Sequence, residues 1–249
     1  MNLVNGLHGV YADDPEFAAA LQPCRVIWDL RREPPGLGSG RGRARSLPGR
    51  RVLTVGTDMA IGKMTASLEL HRAAQASGLR SAFLATGQIG IVISGDGVPL
   101  DGVRVDFATG AIEQLCLRHP DVEVQWVEGQ GSMLHPGSSA WLGIMRCSQP
   151  THLVLVHRAG QTALDTAEGF PIPPLPEVIA GYEAIAAANP GFTAPRVVAV
   201  ALNCGHLSDD TAARAACDEV EAVTGLPTDD VVRFGAARLL AAVMAEGIR

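Results

Sequence analysis

The densest cluster of chemistry-bearing residues is Gly56-Thr57-Asp58-Met59-Ala60-Ile61-Gly62-Lys63-Met64-Thr65. An apolar run at 52–55 (VLTV) precedes it and an Ala- and Leu-rich stretch follows. Between a strand and a helix, such glycines let successive backbone N–H groups curl inward on an anion, and the helix start adds about half a positive charge. Lys63 supplies a full charge for outer phosphates. The whole turn, Gly56, Thr57, Asp58, Ala60, Ile61, Gly62, Lys63, Met64 and Thr65, is therefore a candidate phosphate cradle. Two features set it apart from the common form. Five residues separate Gly56 from Gly62, one more than usual, and Met64 stands where a hydroxyl ordinarily holds Mg2+. Thr65 lies about 100° further around the helix, within reach of a phosphate but off the standard metal position. The pattern favours polyphosphate binding over Mg2+-dependent ATP chemistry.

Three further clusters follow apolar runs. Glu128 ends the run 122–127 and opens Gly129-Gln130-Gly131-Ser132. A carboxylate at a strand end, with glycines opening space around it, suits a general base or a water-mediated Mg2+ ligand. Gln130, Ser132 and His135 follow as substrate candidates, and Ser132 would act as a nucleophile only with a base in reach. His157 and Arg158 close the run LVLVH, His157 as a second candidate base and Arg158 as a substrate or phosphate contact. Gln88, in Ala85-Thr86-Gly87-Gln88-Ile89-Gly90, and Asp96, in Ser94-Gly95-Asp96-Gly97, belong to a polar, glycine-rich loop. Asp96 and Asp106 are of a type to bind a cation or ammonium group. Asn203, just past VVAVAL, is placed to read a base edge or cap a turn. The remaining histidines show no ligand spacing with cysteine or acid, and no zinc or other metal site is expected.

These residues need a scaffold that brings strand ends together. Apolar runs at 52–55, 81–85, 122–127, 153–157 and 197–202 alternate with helical patterns at 63–77, 106–118, 209–224 and 236–246. A further short run, 231–234, precedes the last helix. Continuous apolar strands separated by helices imply an α/β fold, a mostly parallel sheet covered on both faces, with the ligand site at the carboxyl ends of the strands. Before this domain (residues 51–249) come a short unit at 1–32, with a helix starting at Asp13-Asp14-Pro15 and a strand at 25–30, and a Pro/Gly/Arg-rich stretch at 33–50 read as a solvated, mobile linker.

The bulk numbers agree with an α/β enzyme. The 249 residues are 47% hydrophobic and 4% aromatic, enough to bury a large core without staples. Lys and Arg number 20 against 26 Asp and Glu, a net charge of −6. That balance argues against a general nucleic-acid binder. Five scattered cysteines without a Cys-x-x-Cys pair read as reduced thiols of a cytoplasmic protein. No signal peptide or membrane-spanning run is expected.

Taken together in order, GTDMAIGKMT, ATGQIGI, GDGVP, VEGQGSMLHP and VALN resemble a P-loop family, long a domain of unknown function, whose characterised activity is D-glutamate N-acetyltransferase. The resemblance covers nearly all of residues 50–245. GTDMAIGK and VEGQG are also similar, more distantly, to dethiobiotin synthetase. The family likeness implies acyl transfer from acetyl-CoA or another acyl-CoA to the amine of an amino acid or related small molecule. The phosphate loop would hold the phosphates of coenzyme A, Asn203 would join the cofactor contacts, and Glu128 or His157 would serve as base. The dethiobiotin synthetase likeness implies instead a ligase or kinase using ATP and Mg2+, and a third reading is a non-catalytic nucleotide-binding partner. Family members carry a complete N-terminal α/β domain, of which residues 1–32 resemble the tail; a homo-oligomer, or a partner replacing that domain, is implied.

Overall fold

The computed structural model describes residues 2–245 and 247. Its centre is a six-stranded, wholly parallel sheet of order β4-β5-β3-β6-β7-β8, comprising β3 (Arg50–Gly56), β4 (Ser81–Leu84), β5 (Val124–Val127), β6 (His152–Arg158), β7 (Arg196–Asn203) and β8 (Thr228–Asp229). A parallel sheet must be covered on both faces, which explains why β3, β5 and β6 are buried almost along their whole length. One face packs against α4 (Val105–Leu117), α5 (Ala140–Ser148) and α6 (Leu175–Ala186) through Leu53, Leu155, Ile112 and Tyr182. The other packs against α2 (Lys63–Ala76) and α8 (Ala237–Ala245) through Val52, Trp126, Leu70 and Leu239. Helix α7 (Asp210–Thr224) lies beside β8, and a short helix, α3 (Gln88–Ser94), follows β4.

β3 sits between β5 and β6; it leads into α2 on one face of the sheet, whereas its neighbours β5 and β6 lead into α5 and α6 on the other. The carboxyl end of β3 is thus a switch point where loops diverge and leave a crevice. Local chemistry fixes the ends of the helices. Asp209 caps α7 by accepting from Ala212 N at 2.8 Å, and Gly225 (φ 69°) terminates it.

Several expectations need correction. Residues 231–234 form a turn rather than a strand; Asp230 organises it, its Oδ1 accepting from the backbone N–H groups of Val232 and Arg233. The glycine-rich stretch after β4 contains the helix α3, and α5 and α6 lie where no helix was expected. The end of the last helix expected at 246 falls outside the described residues.

The stretch 33–50 is not a solvated tether but is docked on α4. Ala44 is fully buried, Gly40 N donates to Thr109 Oγ1, and the Glu113 carboxylate accepts from Arg41 N, Arg43 N and Arg43 Nε. Those three bonds hold the Glu113 carboxyl below its usual range against the opposing effect of burial. The first unit contains β1 (Leu3–Asn5), α1 (Pro15–Ala20) and β2 (Ile27–Asp29), the two strands pairing in parallel. Asn5 ties it together by donating to Asp29 Oδ1 and to Gly9 O, and Leu30 inserts beside Ala85 and Ile91 of the main domain. Among the described residues no helix is long and apolar enough to cross a membrane.

Candidate active site

The turn after β3 is built around two constraints. Gly62 starts α2 at φ 109°, and Ala60 also takes a positive φ of 54°, so the loop folds back over the helix start. Asp58, almost wholly buried, locks this shape. Its Oδ1 accepts from Met59 N, and its Oδ2 accepts from Gln161 Nε2 at 2.8 Å and Asp165 N at 2.9 Å. Asn203 pins the opposite end by donating from Nδ2 to Ile61 O at 3.0 Å. Lys63 is buried and donates from Nζ to Asp58 O at 2.7 Å. Burial lowers its pKa to about 8, while the charges of Asp58 and Glu128 oppose that shift.

Two cavities open on either side of the first turn of α2, and both are lined by Gly62 and Thr65. The larger, about 650 Å³, carries Lys63, Thr86, Gln88, Asp101, Glu128 and Gln130 on its walls. The smaller, about 300 Å³, lies between Ala66, Leu202, Asn203 and the 230–233 turn and is mostly apolar.

Glu128 is the most perturbed acid here. It is 3% exposed; its Oε2 accepts from Thr86 N at 2.8 Å and Gly87 N at 3.2 Å, and its Oε1 from Gln130 Nε2 at 3.0 Å. Burial pushes its pKa up to about 7 even though those three donors and the Lys63 charge favour the anion. Glycines make the close approach possible: a Cβ on Gly90 would lie 2.5 Å from Glu128 Oε2, and one on Gly129 would strike Thr54 O. Among the described residues Oε1 carries a single hydrogen bond, and it retains capacity to accept a proton. The arrangement offers a cationic and amide-rich anion cradle beside a carboxylate poised near neutrality.

Residues 38–240 match the family described as "Domain of unknown function (DUF1611_C) P-loop domain". The chain belongs to the DUF1611 family. Its similarity extends to a D-glutamate N-acetyltransferase of Tritonibacter scottomollicae, 36% identical over 246 residues and covering 98% of this chain and 72% of that protein. A D-glutamate N-acetyltransferase of a Pseudoalteromonas species is 35% identical, covering 97% and 72%. The crystal structure of a DUF1611 protein from Anabaena variabilis superposes with a TM-score of 0.94 at 57% identity, over 99% of this chain and 72% of that one.

Within this DUF1611 domain the residues singled out by sequence divide into three groups. Ala60, Gly62, Lys63, Met64, Thr65, Gln88, Glu128 and Gln130 line the larger cavity, and Ile61 and Asn203 line the smaller. Gly56, Thr57 and Asp58 support the loop from behind; a Cβ at Gly56 would press on Ile61 and Lys63. The others stand apart. His157 lines neither cavity: it is buried under the loop with Nδ1 2.8 Å from Thr57 Oγ1, and burial lowers its pKa to about 4. It is a neutral brace rather than a base at the larger cavity. His135 accepts from Gly137 N on Nδ1, which leaves Nε2 to donate to Thr166 Oγ1. Ser132 Oγ accepts from Leu134 N; both residues shape the 132–138 loop and line neither cavity. Arg158 pairs with Asp165 and Asp96 with Arg118, both at the surface. Thr86 and Asp101 were missed. Thr86 acts through its backbone N–H, which no side-chain pattern reveals, and Asp101 reaches the wall only because 95–102 folds back from α3.

Proposed function

We propose that this protein is an N-acyltransferase that moves an acetyl or related acyl group from acyl-CoA to the amine of an amino acid. The observation that carries this reading is the pairing, on one cavity wall, of Lys63 at the start of α2 with the buried carboxylate of Glu128. The names of the relatives supply the acceptor class, an amino acid of the D-glutamate kind.

The residues fit coenzyme A without needing a metal-binding hydroxyl after Lys63. Backbone amides of the loop and the Lys63 ammonium suit its phosphates, and the mostly apolar smaller cavity beside Asn203 suits its base. In the larger cavity the acceptor nitrogen attacks the thioester carbonyl carbon; the C–S bond breaks and CoA leaves as a thiolate, which receives the proton that Glu128 has taken from the nitrogen. Glu128 takes the proton from the attacking nitrogen through Oε1, a contribution of about 10²–10⁴-fold. The Gly131 backbone lines the wall where an oxyanion would form, the Gly129 N–H being already given to Thr54 Oγ1.

The test is direct incubation of protein with acetyl-CoA and D- or L-amino acids, following thiol release and acylated product by mass spectrometry. Glu128→Gln is expected to keep acetyl-CoA binding and to lose turnover by about 10²–10⁴-fold. Amino-acid-dependent release of ADP from ATP and Mg2+, with no reaction from acetyl-CoA, would replace this reading with a ligase.

A further inference from the structure

Gln130 lines the larger cavity and touches the oxygen of Glu128 that takes the proton. Its backbone has little freedom. On one side Gly129 donates its N–H to Thr54 Oγ1 at 3.0 Å and has no space for a Cβ against Thr54 O. On the other, Gly131 turns at φ 72°, where a Cβ would strike Ser138 Oγ. Between them the Gln130 amide lies flush against Gly87, whose Cβ would overlap Nε2.

The two ends of that amide have different tasks. Nε2 donates to Glu128 Oε1 at 3.0 Å, which settles which end is nitrogen, since an amide oxygen would repel the carboxylate. The other end, Gln130 Oε1, can only accept. Among the described residues it takes no hydrogen bond, and it is open to solvent on a residue of the cavity wall. Glu128 Oε1 also has room for one more hydrogen. The wall therefore presents two acceptors, one a base and one neutral, separated by a single amide group.

A neutral primary amine carries the matching pattern, a lone pair and two N–H bonds. During attack the lone pair forms the new C–N bond. One N–H proton passes to Glu128 Oε1; the other stays on nitrogen and becomes the amide N–H of the product. An acceptor for each N–H would fix the direction of the lone pair, which is worth much in an attack that depends on alignment.

We infer that Gln130 Oε1 accepts the retained N–H of the acceptor and thereby makes the protein selective for primary over secondary amines. The inference rests on the proposed acyl transfer and deepens it by naming the acceptor class. A neutral secondary amine has one N–H, which Glu128 removes, so its alkyl group faces the Gln130 carbonyl and leaves it unpaired.

The experiment gives acetyl-CoA and either D-glutamate or N-methyl-D-glutamate to wild type, Gln130→Met and Gln130→Leu. Both variants keep the bulk of the side chain and lose its polar ends; melting temperature checks folding, and the wild-type comparison needs no variant. Wild type is expected to use the N-methyl acceptor about 10- to 100-fold less well in kcat/KM. The gap should lie in kcat, because the charged N-methyl ammonium still has two N–H groups to bind with. In the variants, loss of the Nε2 bond slows Glu128 with either acceptor alike, so the ratio between acceptors reports Oε1. That ratio is expected to shrink to within about threefold. Equal use of both acceptors by wild type, or a ratio that survives in the folded variants, overturns the inference while acyl transfer stands. If wild type acylates neither, the proposed transfer to D-glutamate falls, and calorimetry judges the contact with D-glutamate and glutarate, which lacks the amine. D-glutamate binding weakened about tenfold or more in Gln130→Met, with glutarate binding unchanged, supports it. No D-glutamate binding by wild type, equal binding by the variant, or equal weakening of both ligands refutes it.

Discussion

Glu128→Gln is expected to remove a pH-dependent penalty on folding. In the unfolded chain a glutamate titrates near 4.5, and in the folded protein burial holds Glu128 near 7. Between those values the native state keeps a proton that the unfolded state has lost. Stability therefore falls as pH rises through this window, by about 3 kcal/mol once both states are ionised. The glutamine side chain is almost the same shape. Its oxygen accepts from Thr86 N and Gly87 N as the carboxylate does, and Gln130 needs only to turn its amide to meet the new NH2 group. His157 contributes with opposite sign, since its pKa is lowered to about 4 and stability rises with pH between there and 6.5. Lys63 acts only above pH 8. His157 is present in the two proteins and cancels, whereas Lys63 is coupled to Glu128, so the difference reports the carboxyl together with its coupling to Lys63. The assay is urea unfolding at half-unit steps from pH 4.5 to 8. The variant is expected to gain on wild type steadily across that range, by about 3 kcal/mol at the upper end relative to the lower. A difference independent of pH would refute the claim that Glu128 is buried with its proton held to near neutrality.

Other perturbations test the supports of the site. Gly90→Ala places a Cβ 2.5 Å from Glu128 Oε2; it should cost about 1–3 kcal/mol by overpacking and cut acyl transfer, as read by thermal melts and turnover. Asp58→Asn replaces an acceptor of three hydrogen bonds with a group that donates on one side; a loss of about 1–3 kcal/mol and weaker acetyl-CoA binding by calorimetry are expected. Glu113→Gln weakens the bonds that hold Arg41 and Arg43 on α4, so hydrogen exchange at residues 40–46 should quicken while turnover changes little.

Much of the frame was legible because its signals are local. The strand before Gly56, the helix after Gly62 and the Asp209 and Gly225 ends of α7 each depend on a few neighbouring residues. Glu128 was legible from the glycines beside it, which the structure shows to be needed for space as much as for turning. What was hidden depends on distant partners. Helix α3 carries Gly90 in its interior and reads as a loop, yet that glycine is what admits the Glu128 carboxylate. The stretch 33–50 has a linker's composition, but Gly38 is packed so closely on α4 that a Cβ at Gly110 would strike its carbonyl. His157 has the residue type and strand-end position of a base, and its burial against Thr57 could not be read from sequence. Arg31 meets Asp101 across seventy positions of chain, a contact with no local trace.

The central claim is that the Lys63 loop and the Glu128 cavity together form an acyl-CoA site. Calorimetric titration of acetyl-CoA, and of ATP with Mg2+, into wild type and Lys63→Ala tests it most directly. The account predicts saturable binding of acetyl-CoA by wild type, weaker or no binding of ATP, and loss of acetyl-CoA binding by about tenfold or more in Lys63→Ala. Equal acetyl-CoA affinity in the two proteins, or binding of ATP alone, would contradict it.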